Sequence, residues 1–263
     1  MTFLSGQMVA NFESFLLVMV RTTGLFVIAP IFGRQNVPAY LKVAFSFFVA
    51  AITFGSVGPA LADRSPDLFT YALMVAKELV AGIALGYVSY LIITAIYMAG
   101  QMMDMQIGFG MVNVIDPMSN IQIPITSNLF FITCMIVFLQ TGGHHILIVA
   151  LHDSFRLIPL GGAAFTDDLL GDLIRLFGGS FALGFRIAAP MIAVIFIVNV
   201  VLGVITKTMP QLNVFVVGMP LKIIVGLAIL VFVIPAFIGV LGGVISDTKE
   251  ELTIFTRHMA APT

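Results

Sequence analysis

The sequence predicts an all-α integral membrane protein of about six long, partly kinked helices, arranged as hairpins and interrupted by one irregular loop. Of the 263 residues, 60% are hydrophobic and only 10% are charged, whereas ordinary soluble domains are roughly 25% charged. Six apolar runs are each long enough to cross a bilayer core, which takes about 20 helical residues. The period-2 alternation that marks a membrane β-barrel is absent from the sequence.

Prolines and polar residues separate the six apolar runs, so each run predicts one helix. The runs cover residues 8–31, 39–61, 68–100, 125–151, 172–205 and 214–245. At or near the breaks lie prolines, as expected where helices end: Pro30, Pro38, Pro59, Pro66, Pro124, Pro159, Pro210 and Pro220. Pro190 and Pro235 fall inside the last two runs and predict kinks there.

Charged residues interrupt several of these runs, and we predict that four of them are buried against partners: Arg21, Lys77, Glu78 and Arg186. A charge at the centre of a membrane helix costs about 2.5–3.5 kcal/mol on the insertion scale. Such side chains therefore usually face protein or a water-filled cavity. The alternative that stays open is that they lie near helix ends and extend to the membrane interface.

The stretch from Gln101 to Pro124 is too polar and too broken for a membrane helix, although apolar runs flank it on both sides. Its glycines permit left-handed backbone, its prolines remove backbone donors, and its methionines adapt to changing shapes. Irregular backbone at membrane depth requires protein or water around it. We interpret the stretch as an inward-facing loop that lines or closes a passage, with an ordinary surface loop as the alternative. Its candidate gate residues are Met105, Gly108, Phe109, Gly110, Met111, Asp116, Pro117 and Met118.

Two further patterns predict close helix packing and a candidate contact surface. Gly82 with Gly86, and Gly239 with Gly243, have the GxxxG spacing that lets a neighbouring backbone approach closely. The segment 210–213 joins the last two runs, and it contributes Pro210, Gln211 and Asn213 as candidate contacts for another chain. A tight hairpin turn is the alternative there, because Gln and Asn side chains also bond to freed backbone groups.

Nothing in the sequence points to catalysis, and we predict neither a cofactor nor a bound metal. Phosphate loops and GxSxG nucleophile motifs are absent. His144, His145 and His152 cluster, but no cysteine or second acidic residue completes an obvious metal-ligand set beside Asp153. The net charge of −1 argues against a broad basic surface for nucleic acid.

An ordered set of short motifs resembles the FliR/SctT family of type III export-gate proteins over nearly the whole chain, up to Ser246. Each motif alone is common, but their order is specific. The motifs are Arg21-Thr22-Thr23-Gly24 with Pro30-Ile31-Phe32; Lys77-Glu78 with Gly82 and Gly86; Ala99-Gly100-Gln101; Gly108-Phe109-Gly110 with Asp116-Pro117; Gly142-Gly143-His144; the stretch from Ser154 to Pro159; and Pro210-Gln211-Leu212-Asn213 with Gly218 and Pro220.

The resemblance implies a single membrane domain that acts as a non-enzymatic subunit of a protein export gate in the bacterial inner membrane, at the flagellar basal body. One copy would join FliP and FliQ, with residues 1–165 similar to FliP and residues 166–263 similar to FliQ. Residues 106–124 would form a plug, and unfolded exported proteins would pass through the centre. The turn at 210–213 would face the cytoplasmic entrance, where FlhB binds, and buried charges such as Lys77 and Glu78 would find partners in neighbouring subunits.

Two alternatives to a flagellar export gate stay open. An injectisome export-gate subunit of the same family would share every motif named above. A secondary transporter for a small solute would also account for broken helices and charges within the membrane, but it predicts an internal repeat, and no convincing repeat is present.

Overall fold

The computed structural model describes residues 2–34, 36–58, 67–109, 124–211 and 213–260, apart from the side chains of residues 2–6 and 214. Within these ranges the chain forms seven α-helices: α1 Thr2–Ile28, α2 Ala39–Val57, α3 Leu68–Ile107, α4 Ile125–Gln140, α5 Gly143–Leu157, α6 Asp167–Thr208 and α7 Val214–Met259. In the same ranges the β-structure is limited to an isolated antiparallel bridge between Ala163 and Ala260. The predicted all-α class is confirmed.

Five of the described helices, α1, α2, α3, α6 and α7, are long and apolar enough to cross a membrane. Helices α4 and α5 pass the same test only as a pair, and they are bent by 64° relative to each other. The described part therefore has five candidate spans, or six if the bent pair counts as one.

The third helix is longer than the sequence analysis predicts. It continues past Gly100 to Ile107, so the first seven residues of the stretch predicted as an irregular loop are helical. The extra turns are stable because they bury Met103 and Ile107 almost completely. The helix ends where Gly108 adopts a φ of +96°, a left-handed conformation that glycine adopts at little cost.

The fourth apolar run forms two helices rather than one. Gly142 adopts a φ of +74° as the N-cap of α5, and this conformation cannot continue the α4 helix. The break is hard to predict because apolar residues continue on both sides of a short Thr-Gly-Gly sequence. Pro220 also departs from the prediction, since it lies inside α7 rather than at a break.

The last helix extends 14 residues beyond the predicted end at Ile245, to Met259. These turns are amphipathic and bury Leu252, Phe255 and Met259. Polar contacts also join the end of α7 to the first turns of α6. Glu251 accepts hydrogen bonds from both terminal nitrogens of Arg175 at 3.2 and 2.7 Å, and the His258 ring contacts the carboxylate of Asp172.

The chain forms two compact units, and both are discontinuous along the sequence. The first comprises residues 1–91, 142–176 and 246–263, and the second comprises residues 92–141 and 177–245. The core of the second unit includes the tilted ring pair Phe130 and Phe237, with centroids 4.5 Å apart. These units describe packing within the chain, so the predicted FliP-like and FliQ-like parts stay a prediction.

Candidate functional site at the end of the third helix

The last turns of α3 lead into the segment predicted to be a gate, and their two faces differ sharply. Met103 and Ile107 are buried, and Asp104 is only 6% exposed, whereas Met105 is 79% exposed. A carboxylate in this apolar setting must have strong hydrogen-bond partners to remain buried without a large penalty.

Asp104 finds its partners at the beginning of α4, more than 20 residues later in the chain. Its Oδ1 accepts a hydrogen bond from the Thr126 backbone N–H at 2.8 Å. Its Oδ2 accepts bonds from the Ser127 backbone N–H at 3.1 Å and from the Ser127 hydroxyl at 3.0 Å. The N-cap residue of α4, Pro124, supplies no side-chain cap, so Asp104 satisfies two of the free N–H groups that a helix N-terminus leaves, those of Thr126 and Ser127.

The backbones of α3 and α4 approach closely just before this carboxylate. A Cβ atom on Gly100 would lie 2.3 Å from the Ser127 Cα atom, a distance that no side chain tolerates. Gly100 and Asp104 together hold the start of α4 against the end of α3. They thus fix the two points, Phe109 and Pro124, between which residues 110–123 must run.

Two of the candidate gate residues immediately follow α3. Gly108 ends the helix, and its N–H donates to the Asp104 carbonyl at 3.1 Å. Phe109 is partly buried against the apolar core of the second unit. Gly110, Met111, Asp116, Pro117 and Met118 lie outside the described residues, so their part in a gate stays a prediction.

Arg21 and Glu78, two of the four predicted buried charges, form an ion pair with no exposed side-chain surface. The Arg21 Nε donates to Glu78 Oε2 at 2.5 Å, and Nη2 donates to Oε1 at 2.9 Å. The resemblance implied a partner for Glu78 in another subunit, but its partner lies in the same chain. Lys77 is half-buried and Arg186 is exposed in this single chain, so their burial stays a prediction about an assembly.

Residues from α5 and the turn after it complete the surroundings of the Arg21–Glu78 pair. Arg21 also donates to the Ser154 hydroxyl at 3.2 Å and to the Ile158 carbonyl at 3.3 Å, and its guanidinium lies 4.2 Å from the centroid of Phe155. The Gly161 N–H donates to Glu78 Oε1 at 2.7 Å. The pair therefore ties α1, α3 and α5 together, and we regard it as a structural centre, because neither side chain has any exposed surface.

The turn between α6 and α7 is exposed, as a contact surface would require. Pro210, Gln211 and Asn213 all have exposed side chains. Asn213 Oδ1 accepts a hydrogen bond from the Phe215 N–H at 3.0 Å, so this amide caps the start of α7. This capping role explains Asn213 without invoking another protein chain. The role of Pro210 and Gln211 in binding stays a prediction.

The three clustered histidines do not converge on a common point suited to a metal. His144 and His145 have ring centroids 4.3 Å apart, whereas His152 Nδ1 lies 3.4 Å from the Ser56 hydroxyl. Among the described residues, no group of three or more His, Cys, Asp or Glu side chains is arranged to hold a metal ion.

Comparison with known families gives the broader context of these helices. Residues 12–248 match the family described as bacterial export proteins, family 1. The chain belongs to this family. Because the match covers the Arg21–Glu78 pair, the Asp104 contacts and the 210–213 turn alike, all three belong to the region shared with other bacterial export proteins.

Several curated relatives of this export protein carry the name flagellar biosynthetic protein FliR. The relative from Bacillus subtilis is 36% identical over 247 residues, which covers 92% of this chain and 93% of the relative. The relative from Escherichia coli is 29% identical and covers 82% of each chain. The relative from Aquifex aeolicus is 29% identical, covering 89% of this chain and 90% of the relative.

We expect Asp104→Asn to destabilise the export protein by about 2–3 kcal/mol. The side-chain amide has one oxygen that accepts hydrogen bonds, whereas the carboxylate has two, so one buried N–H group of α4 would be left unpaired. The measurement is the thermal unfolding of the detergent-extracted protein, with any partners that co-purify. Asp153→Asn, at an exposed position of α5, makes the same change in charge and should leave unfolding unchanged. Equal unfolding temperatures for the two variants would contradict the capping role of Asp104.

Proposed function

We propose that this chain is a non-enzymatic core subunit of the flagellar type III protein export gate in the bacterial inner membrane. The observation that carries the proposal is the family match over residues 12–248, together with 36% identity to FliR of Bacillus subtilis over nearly the full length of both chains. The helices support it, since five of those described are long and apolar enough to span a membrane.

In this proposal, one copy of the chain joins FliP and FliQ in a hetero-oligomer, and unfolded flagellar proteins pass through a conduit shared by the subunits. Large apolar side chains that are exposed in the single chain support such an assembly or lipid contact, for example Phe177, Phe181 and Phe185 along α6. The exposed 210–213 turn faces FlhB at the cytoplasmic entrance. An affinity purification in mild detergent tests the partners: FliP and FliQ should co-purify, and a solitary, monodisperse folded chain would contradict the proposal.

The proposal assigns residues 106–124 as a plug that closes the conduit at rest. The support from the described residues is that the two ends of this segment are held firmly. Asp104 and Gly100 join the end of α3 to the start of α4, and Phe109 packs against an apolar core. A methionine-rich segment between two fixed ends suits a seal that must close both on itself and around a passing chain, because methionine side chains adapt to changing shapes. An apolar constriction of this kind also holds back water and ions.

Deleting residues 110–119 should make the resting membrane leak ions while the subunit still assembles with its partners. The reason is that the deletion removes the predicted seal and leaves the anchoring residues Gly100 and Asp104 in place. The measurement is membrane conductance in cells or planar bilayers, with co-purification as the check on assembly. Shortening the segment 59–66, between α2 and α3, is the control, because it also removes residues between two helices but lies outside the predicted plug. An assembled deletion complex with unchanged conductance would rule out the plug.

A further inference from the structure

An apolar groove lies beside the first three turns of α2, within the first compact unit. Its volume is about 390 Å³, within the range of roughly 300–1,000 Å³ that is typical of small-ligand sites. It is lined almost entirely by carbon: the lining residues are Phe26, Phe32, Val37, Leu41, Lys42, Ala44, Phe45 and Phe48.

The groove has an aromatic floor and an open side. Phe32 and Phe45 stack with centroids 5.0 Å apart, and Phe26 packs edge-on against both. Leu41, Phe45 and Phe48 recur along one face of α2, as positions i, i+4 and i+7 do, and they are 49%, 39% and 65% exposed. This face is therefore partly open in the single chain.

The position of the groove along the membrane-spanning helices matches the geometry of a phospholipid. Helix α1 ends at Ile28 and α2 begins at Ala39, and both are candidate spans by length and composition, so we place the connection between them at the membrane interface. Lys42 is about one turn inside α2 and Phe48 is about 9 Å deeper along the axis, at 1.5 Å per residue. The groove thus runs from headgroup depth, at Lys42, into the hydrocarbon, at Phe48.

Lys42 supplies the single charge in this apolar lining. Among the described residues, its ammonium takes part in no ion pair. Lysine is depleted from the buried cores of protein interfaces, because an unpaired charge there would be strongly unfavourable. Basic side chains at pockets between membrane helices, in contrast, recurrently bind anionic lipid headgroups.

We propose that this groove binds one anionic phospholipid, with its phosphate at Lys42 and an acyl chain along Phe45 and Phe48. The aromatic floor supplies the apolar contact, and the lysine supplies the preference for negative charge. This site depends only on the chain being embedded in a membrane. It does not depend on the plug, the conduit or the identity of the partners.

The test is lipid retention by the protein as extracted in mild detergent with its partners, measured by native mass spectrometry after addition of phosphatidylglycerol or phosphatidylcholine. The wild-type protein should retain phosphatidylglycerol preferentially. Lys42→Gln should reduce that retention about fivefold, as expected for one lysine near a membrane surface. Lys207→Gln, at an exposed position near the end of α6, is the matched control and should change nothing. Equal retention of both lipids, or no effect of Lys42→Gln, would overturn the proposal.

Two further measurements keep the proposal testable if Lys42→Gln affects assembly. Ala44→Leu fills the groove without changing charge, and it should reduce the retention of both lipids. A photoreactive benzoylphenylalanine placed at position 48 in otherwise native cells should form an adduct with the mass of a phospholipid. An adduct with another protein chain would show that a neighbouring helix covers the groove, and it would overturn the lipid site.

Discussion

Replacing Glu78 by glutamine is expected to remove most of the folded protein from the membrane. Glutamine has nearly the same shape, so the change removes the charge and leaves the Arg21 guanidinium buried without a counter-charge. Breaking one partner of a buried ion pair costs about 3–5 kcal/mol, a large share of the roughly 5–15 kcal/mol that stabilises a typical protein. The other hydrogen-bond acceptors of Arg21, the Ser154 hydroxyl and the Ile158 carbonyl, are neutral and do not replace the lost charge.

The measurement for Glu78→Gln is the amount of full-length protein in the membrane, together with its thermal unfolding after extraction. Glu250→Gln is the control, because it makes the same change at an exposed position of α7. The double variant Arg21→Met with Glu78→Met should recover part of the loss, since an apolar pair of similar volume often replaces a buried ion pair without penalty. The recovery should be incomplete, because the Gly161 N–H loses its acceptor. If the Glu78→Gln and Glu250→Gln variants accumulate to the same level, the ion pair does not stabilise the fold.

Gly82→Ala is expected to have an effect of similar size by a steric route. A Cβ at Gly82 would lie 2.1 Å from the Arg21 carbonyl oxygen, and one at Gly86 would lie 2.8 Å from the Leu25 carbonyl oxygen. Alanine favours a helix over glycine by up to about 1 kcal/mol, but the clash is with backbone, which cannot rotate away. Helices α1 and α3 would have to separate, so we expect a loss of about 3 kcal/mol, at the upper end for overpacking.

The second GxxxG pair supplies the matched control for Gly82→Ala. A Cβ at Gly239 or Gly243 meets no atom of the described chain within 4 Å. Gly239→Ala should therefore leave the thermal unfolding of the extracted protein unchanged or raise it slightly, through helix propensity alone. If Gly82→Ala unfolds no earlier than Gly239→Ala, the close crossing of α1 and α3 does not exist in the protein.

The two GxxxG pairs show what a local sequence pattern can predict and what it cannot. The spacing predicts that each pair admits a neighbouring backbone, and for Gly82 and Gly86 the structure confirms it by placing α1 there. The same spacing at Gly239 and Gly243 faces open space within the described residues. The GxxxG spacing is the same in both pairs, because it depends only on where the glycines lie in the sequence. What lies opposite depends on residues tens of positions away.

The cap at Asp104 shows the same limit for the candidate site. The sequence places a lone carboxylate among methionines, and nothing local indicates its purpose, because its partners Thr126 and Ser127 follow a long intervening segment. The one available signal is Pro124, a helix start without a capping side chain of its own. A search for acceptors that could cap this helix start would have given Asp104 as one of two nearby carboxylates, with Asp116.

The sequence by itself determined that this protein is an all-α membrane chain, where most helices begin, and which family it belongs to. These properties follow from apolar run length, proline and glycine positions and motif order, which are all local or additive along the chain. Only the tertiary structure decided that Arg21 pairs with Glu78, that Asp104 caps α4, and that α7 continues to Met259. Each of these depends on a contact between buried groups that lie far apart in the sequence. The free energy of such a contact depends on both groups and on their geometry, so neither segment alone predicts it.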